Sequence, residues 1–199
     1  MRRESHVRFW EGLGVRFPRA TRLVALFLDE GDARRVMEVL PKRFAKYGLM
    51  LHPDKTRLVR FKPRRHDGSG APPGSFNLLG FAHRWQRSRK GYWVVRKVTD
   101  PARFRRGLKQ LSRWLRKARH LPIGVQRDGI ARRLQGHYAY YGLTGNPQAL
   151  HRYRWAALVL WRHWLRRRSQ RAPMPWDCFK RLLQHYPVPN ARTFHSTCV

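Results

Sequence analysis

From about residue 100 onward, apolar positions recur at helical spacing. Phe104, Leu108, Leu111, Leu115 and Ala118 form one stripe, and Arg105, Arg106, Lys109, Arg113, Arg116 and Lys117 fill the positions between. Thr99 or Asp100 ahead of Pro101 supplies the start, a cap followed by proline in the first turn. A second helix is expected over about Ile123–Tyr141, ending near Gly142 and Gly145. Asn146-Pro147 restarts a helix through about Arg168, with Leu150, Tyr153, Ala157, Trp161 and Trp164 on one side. Arg166, Arg167, Arg168 and Arg171 lie at its negative end and just beyond. A short helix around Trp176–His185 precedes a proline-broken tail over 187–199.

The pattern before residue 100 is different. Residues 1–22 show no clear period and read as an irregular basic stretch. Val24–Leu28 suits a short buried strand. Asp29, Glu30 and Asp32 then crowd a helix start, where acids favour the positive end of the dipole. Val36, Leu40, Phe44 and Tyr47 mark one face of that helix. Pro41 predicts a kink or restart within it, and Gly48 a stop. Leu49–His52 and Arg57–Phe61 read as strand, turn, strand. Residues 62–75 are rich in Pro, Gly and Ser and read as a loop. Phe76–Trp85 and Tyr92–Val98 flank Gln86–Gly91 as a hairpin with a basic tip, and Gly80 would allow close backbone approach. The expected class is α+β: a small mixed part over 23–98, then an all-helical part over 99–186.

Charge narrows the partners. The 44 Lys and Arg outnumber the 11 Asp and Glu, giving +33 in 199 residues. Twenty-five aromatic residues (eight Trp, seven Tyr, ten Phe) argue against a wholly disordered chain. Uncompensated cations repel one another unless a polyanion neutralises them, so nucleic acid is the expected partner and an anionic membrane surface the weaker one. Residues 1–100 hold 23 basic and 9 acidic residues; residues 101–199 hold 21 basic and 2 acidic, Asp128 and Asp177. With those two so far apart, the second half offers no carboxylate pair for glycosidase or two-metal chemistry. Two cysteines, Cys178 and Cys198, do not make a disulfide scaffold. The start lacks an apolar signal core, and the longest apolar run, Trp155–Trp161, is too short to span a bilayer. A cytoplasmic protein, or one associated with the nucleoid or with RNA, without a membrane segment is expected.

Several phrases carry little alone. Leu49–Thr56 (LMLHPDKT) reads as a strand entering a Pro-Asp turn, and Phe76–Phe81 (FNLLGF) as a buried strand. Taken in order with DARRVMEVLPKRFAKYG, SRKGYWVVRK, RFRRGLKQLSRWLRK and LQGHYAYYGLTGN, they resemble bacterial group II intron-encoded reverse transcriptases over about residues 23–197. The matching portion is the end of the palm followed by the thumb, or maturase-specific X domain. The resemblance implies a mobile-element protein that binds its own intron RNA and assists its folding for splicing. With an intact polymerase, such proteins also copy RNA into DNA. The chain departs from that pattern where it matters for catalysis. The family's Tyr-x-Asp-Asp metal site would fall near Arg19-Ala20-Thr21-Arg22, and no Asp-Asp pair occurs in the sequence. The expectation is therefore a truncated or frame-disrupted protein, not an enzyme by itself, with no cofactor of its own. Magnesium would belong to the intron RNA or to a complete polymerase. An upstream reverse-transcriptase fragment is a candidate partner beside structured RNA. The alternatives are the C-terminal part of an RNA-directed DNA polymerase active only with a separate upstream fragment, a decayed remnant, and a helix-turn-helix DNA binder.

The candidate RNA contacts are Arg113, Arg116, Lys117, Arg119, Arg132, Arg133, Arg166, Arg167 and Arg168. A charge run is ordinarily a solvated face, but such faces intersperse acids and this one does not. These cations are expected to meet phosphates without reading bases. Tyr138 and Tyr141, within HYAYYG, are candidates for stacking on bases, against the plainer reading of helix-packing core. His83, His137, His151 and His163 have no catalytic partner at a meaningful spacing and read as structural or phosphate-facing. Asp29, Glu30 and Asp32 read as a helix start, not a metal site. Cys178, His185, His195 and Cys198 have no standard zinc spacing, so no metal is expected there.

Overall fold

The computed structural model describes residues 7–11, 25–52, 56–63, 74–168 and 174–195. The chain is α+β and divides into two compact units, Met1–Arg96 and Lys97–Val199, close to the boundary read from the sequence.

The first unit carries two three-stranded antiparallel arrangements. In one, β1 (Val7–Glu11) lies between β2 (Leu26–Phe27) and β3 (Arg57–Phe61), with Val7 opposite Phe61 and Glu11 opposite Arg57. This corrects the reading of 1–22 as irregular throughout. A five-residue strand whose main partner lies some fifty residues away leaves no local period to read. In the other, the order is β4 (Ser75–Leu78), β5 (Phe81–Arg87), β6 (Trp93–Thr99). Phe76–Trp85, expected as one strand, is thus two. Leu78 pairs with Phe81 across a two-residue turn, Leu79-Gly80, with φ of 49° and 79°. Two positive φ values in succession suit the twist of a tight hairpin. Gly80 therefore serves the turn, and Leu79 tolerates a conformation that side chains rarely adopt. The basic-tipped hairpin forms as expected: Ser88 closes it through Tyr92 and Gly91.

A small apolar cluster holds this unit. Phe61 meets Phe76 edge-on at 4.9 Å and stacks against Trp85 at 5.3 Å, with Val59 and Leu78 alongside. Helix α1 (Glu30–Ala45) is capped by Asp29, whose carboxylate accepts from the Gly31 and Asp32 amides. Glu30 pairs with Arg34 at 2.8 Å and Asp32 with Arg35 at 3.8 Å. The three acids are thus engaged at the helix start. The helix runs through Pro41 without the expected restart. Its stripe is shallow: Ala33 is buried, whereas Tyr47 lies in solvent. Two further expectations fail here. Leu26 and Leu28 are exposed, so Val24–Leu28 is not a buried strand (Val24 itself lies outside the described residues). Leu49–His52 is irregular.

The second unit is built from α2 (Pro101–Ala118), α3 (Ile123–Tyr141), α4 (Pro147–Arg166) and α5 (Trp176–His185). Asp100 caps α2 through the Ala102 amide, with Pro101 at the first turn as expected. The core collects Leu111 and Leu115 from α2, Ile130, Leu134 and Tyr138 from α3, Leu150, Ala157 and Trp161 from α4, and Phe179 from α5. Contacts fix the helix directions. Gly107 faces Tyr153, Ser112 accepts from the Trp164 indole at 3.1 Å, and Arg168 reaches the Leu121 carbonyl at 2.8 Å. Both numbers rise together, so α2 and α4 run parallel, and α3 returns antiparallel between their ends.

Two buried amides lock the turns. Gln126, fully buried, donates to the Arg119 and Leu121 carbonyls (3.1 and 2.8 Å) and accepts from the Trp161 indole at 3.0 Å. The carbonyls left open by the end of α2 are satisfied this way. Asn146, read as a cap for α4, makes no side-chain cap. Its amide instead donates to Thr99 Oγ1 and the Tyr141 carbonyl, both at 2.9 Å, and accepts from the Thr99 amide at 3.2 Å. The segment after α5 is not a loose tail. Val188 enters the core, Pro189 accepts from Tyr138 and Arg154, and Phe194 and His195 bond the Gly142–Thr144 backbone.

Candidate nucleic-acid interface

Parallel α2 and α4 finish at the same end of their unit, where Arg168 bridges to the turn after α2. Arg116, Lys117 and Arg119 on one helix and Arg166, Arg167 and Arg168 on the other are therefore gathered at one end. Cations there offset the negative ends of two helix dipoles, worth roughly −0.5 each. Six formal charges exceed that demand roughly sixfold. Carboxylates do not make up the difference. Among the described residues of this unit, Asp128 pairs with Arg127 at 2.8 Å, Asp177 with Lys180 at 3.3 Å, and Asp100 is held at its cap.

The nine cations named from the sequence divide into two kinds. Arg113, Arg116, Lys117, Arg132 and Arg166 extend from exposed positions. The others also hold the fold. Arg119 bonds His120 at 2.8 Å, and Arg167 lies over the Trp164 ring at 5.7 Å. Arg133 donates to the Gly129 carbonyl at 2.8 Å and lies 4.1 Å over the Trp114 ring. Burial, with the repulsion of Arg132 behind it, lowers the Arg133 pKa. Trp114 itself fits against bare backbone at Gly129, where any Cβ would collide with the ring. Arg132 and Arg133 lie along α3, away from the turn that Gln126 closes.

The tyrosines are placed differently from the expectation. Tyr138 is 1 % exposed, and burial pushes its hydroxyl up to about 12. Its ring is core material and offers no face to a base, which corrects the expectation that it reaches RNA. Tyr141 is half-buried, 4.6 Å from the His137 ring and edge-on to Tyr140 at 4.8 Å. It serves the end of the unit opposite the cation cluster. His137 belongs to the same interior group, stacked on Tyr153 at 3.6 Å. Its Nε2 is buried without a hydrogen-bond partner among the described residues.

Burial holds the His137 ring down at about 4, against an ordinary value of 6.5. The folded state then binds fewer protons than the unfolded chain between those values. Stability is full above pH 6.5 and falls as pH drops toward 4, by about 2 kcal/mol after allowing for solvent at the open edge of the ring. Thermal melting between pH 7 and 4 is expected to show this loss. His137→Phe should flatten that part of the profile; parallel profiles for the two proteins would contradict it.

The remaining histidines are structural or superficial. His83 stacks on Phe76 at 4.6 Å, His163 meets Trp164 edge-on, and His151 lines an open cleft beside the start of α4. Among the described residues, no three His, Cys, Asp or Glu side chains stand close enough to hold a metal ion. Cys198 lies outside the described residues. No helix among them is long and apolar enough to cross a membrane. The sequence reading overlooked Gln126 and the pair Trp155–Trp176. The signal available for Gln126 was one amide on the buried side of α3; for Trp155, a tryptophan off the apolar stripe of α4. No protein-family model, curated protein or solved structure matches the chain.

Proposed function

We propose that this chain binds structured RNA as a maturase-type protein, helping a group II intron RNA fold for splicing. The observation that carries the reading is the gathering of six cations where α2 and α4 end, with the carboxylates of that unit committed elsewhere. The order of sequence blocks resembling intron-encoded proteins supplies the substrate class. Folded RNA is a dense polyanion, and its compaction is opposed by phosphate repulsion. A rigid helical unit with concentrated cations lowers that cost through counterion release, contacting phosphates and 2′-hydroxyls along the RNA surface. The intron then performs the chemistry. The antiparallel strands of the first unit support reading it as the remnant of a palm.

The test is affinity against salt for a group II intron RNA and for an unrelated duplex RNA of equal length. Both should weaken steeply, with a logarithmic slope of roughly −0.7 to −0.9 per phosphate neutralised. The intron RNA is expected to keep a clear advantage as salt rises. Coincident curves would reduce the protein to a polycation and remove the maturase reading.

A further inference from the structure

Trp155 stands out on α4. It is 57 % exposed, unusual for the largest side chain in a unit with a well-filled core. It is not loose. Its ring stacks on Trp176 at 5.3 Å with the planes 7° apart. The guanidinium of Arg162 lies 4.2 Å over the same Trp176 ring and is itself held by the Met174 carbonyl at 2.9 Å. Trp155 and Arg162 are seven residues apart, two helical turns or about 10.5 Å of rise. The two stacking distances nearly fill that gap, so Trp176 is sandwiched between them. Trp155 is the outer layer of a three-layer stack, with one face covered and the other turned to solvent.

Asp177, next to Trp176, is paired with Lys180 at 3.3 Å, and the other charged side chains of these two helices are basic. Helix α4 contains no acidic residue. One turn before Trp155 come His151 and Arg152, the latter with its guanidinium 6.0 Å over the Phe104 ring. His151, with Arg192 and Thr193, lines an open cleft of about 340 Å³ beside the helix start. A flat, exposed aromatic face on a helix that carries basic side chains and no carboxylate fits a nucleotide whose base is not paired. Stacking accepts any base, and the neighbouring cations meet its phosphate. A buttressed ring also loses little freedom on binding, which favours affinity.

We propose that Trp155 is a stacking platform for an unpaired nucleobase, resting on the RNA-binding reading above and adding to it a preference for bulged or looped RNA. The test compares two RNAs with equal numbers of phosphates, a fully paired duplex and a duplex with an internal bulge carrying a fluorescent adenine analogue. Wild type should bind the bulged RNA more tightly and quench the analogue. Trp155→Ala should lose about 5- to 100-fold on the bulged RNA, with less than about a twofold change on the duplex and an unaltered salt slope. Trp155→Phe should recover most of the loss and the quenching, which separates stacking from damage to the fold. Equal losses of Trp155→Ala on both RNAs, or none on the bulged one, would overturn the platform and leave RNA binding intact. Failure of wild type to bind either RNA at low salt would overturn both readings. Undiminished RNA binding by Trp155→Ala would point to a protein partner for this face and equally end the proposal.

Discussion

Replacing Arg113, Arg116, Lys117 and Arg166 together by Gln is expected to weaken RNA binding by about 10²-fold or more near physiological salt, and to make the salt slope shallower by about 3. These four side chains are exposed, and among the described residues they hold no ion pair or hydrogen bond. Their loss therefore removes little from the fold. Each contributes a phosphate contact through released counterions, so the effects should accumulate roughly additively. Arg133 and Arg168 are left in place because each bonds a backbone carbonyl, and Arg119 because its guanidinium is engaged by His120. The measurement is a binding titration at several salt concentrations, with a melting curve for the variant beside it. An unchanged slope with an intact fold would show that phosphates are met elsewhere on the molecule.

The second large effect is on stability. Gln126→Ala should cost about 3–5 kcal/mol, a drop in melting temperature of roughly 15–30 °C for a unit of this size. Two groups lose their partner at once, the Trp161 indole N–H and the Arg119 carbonyl, while the Leu121 carbonyl loses one of two donors and keeps Arg168. Each buried orphan costs about 1–3 kcal/mol, less than additively because the two share one site. A vacated side-chain volume adds to this. Gln126→Met fills nearly the same volume without donor or acceptor. It should recover only the smaller, packing part of the loss. A fully stable Gln126→Met protein in denaturant titration would show that these hydrogen bonds contribute little.

The two halves of the chain were legible to different degrees, for physical reasons. Helices α2, α3 and α5 could be placed almost to the residue because their ends are written locally: a cap and proline at Asp100-Pro101, glycines at 142 and 145, prolines on either side of 176–185. The strands were harder. Strand β1 is specified by pairing with residues some fifty positions away, which no window on the sequence contains. The turn at Leu79-Gly80 was hidden because leucine is not a residue that positive φ usually selects. Apolar content misled at Leu26 and Leu28, which are exposed although Leu26 belongs to β2, and at Leu49, which lies outside any strand. For the candidate site, the cations themselves were visible in the composition. Their convergence was not, since it depends on α2 and α4 being parallel neighbours. Tyr138 shows the opposite limit: an aromatic cluster reads alike whether it faces RNA or the core, and burial alone decides between them.

The segment 188–195 gives the helical unit a particular timing. Val188, Pro189, Phe194 and His195 close over α3 and α4, bonding residues made some fifty positions earlier. A chain made from its N-terminus outward presents α2, α3 and α4 before these last contacts exist. While they are awaited, the nascent helices hold most of their cations and few of their final restraints, beside the polyanionic RNA of the ribosome itself. Completion of the unit is thus deferred until residues 188–195 have left the exit tunnel. A nascent chain that has emerged only to about residue 185 would be a strongly basic intermediate with its aromatic core open along one side.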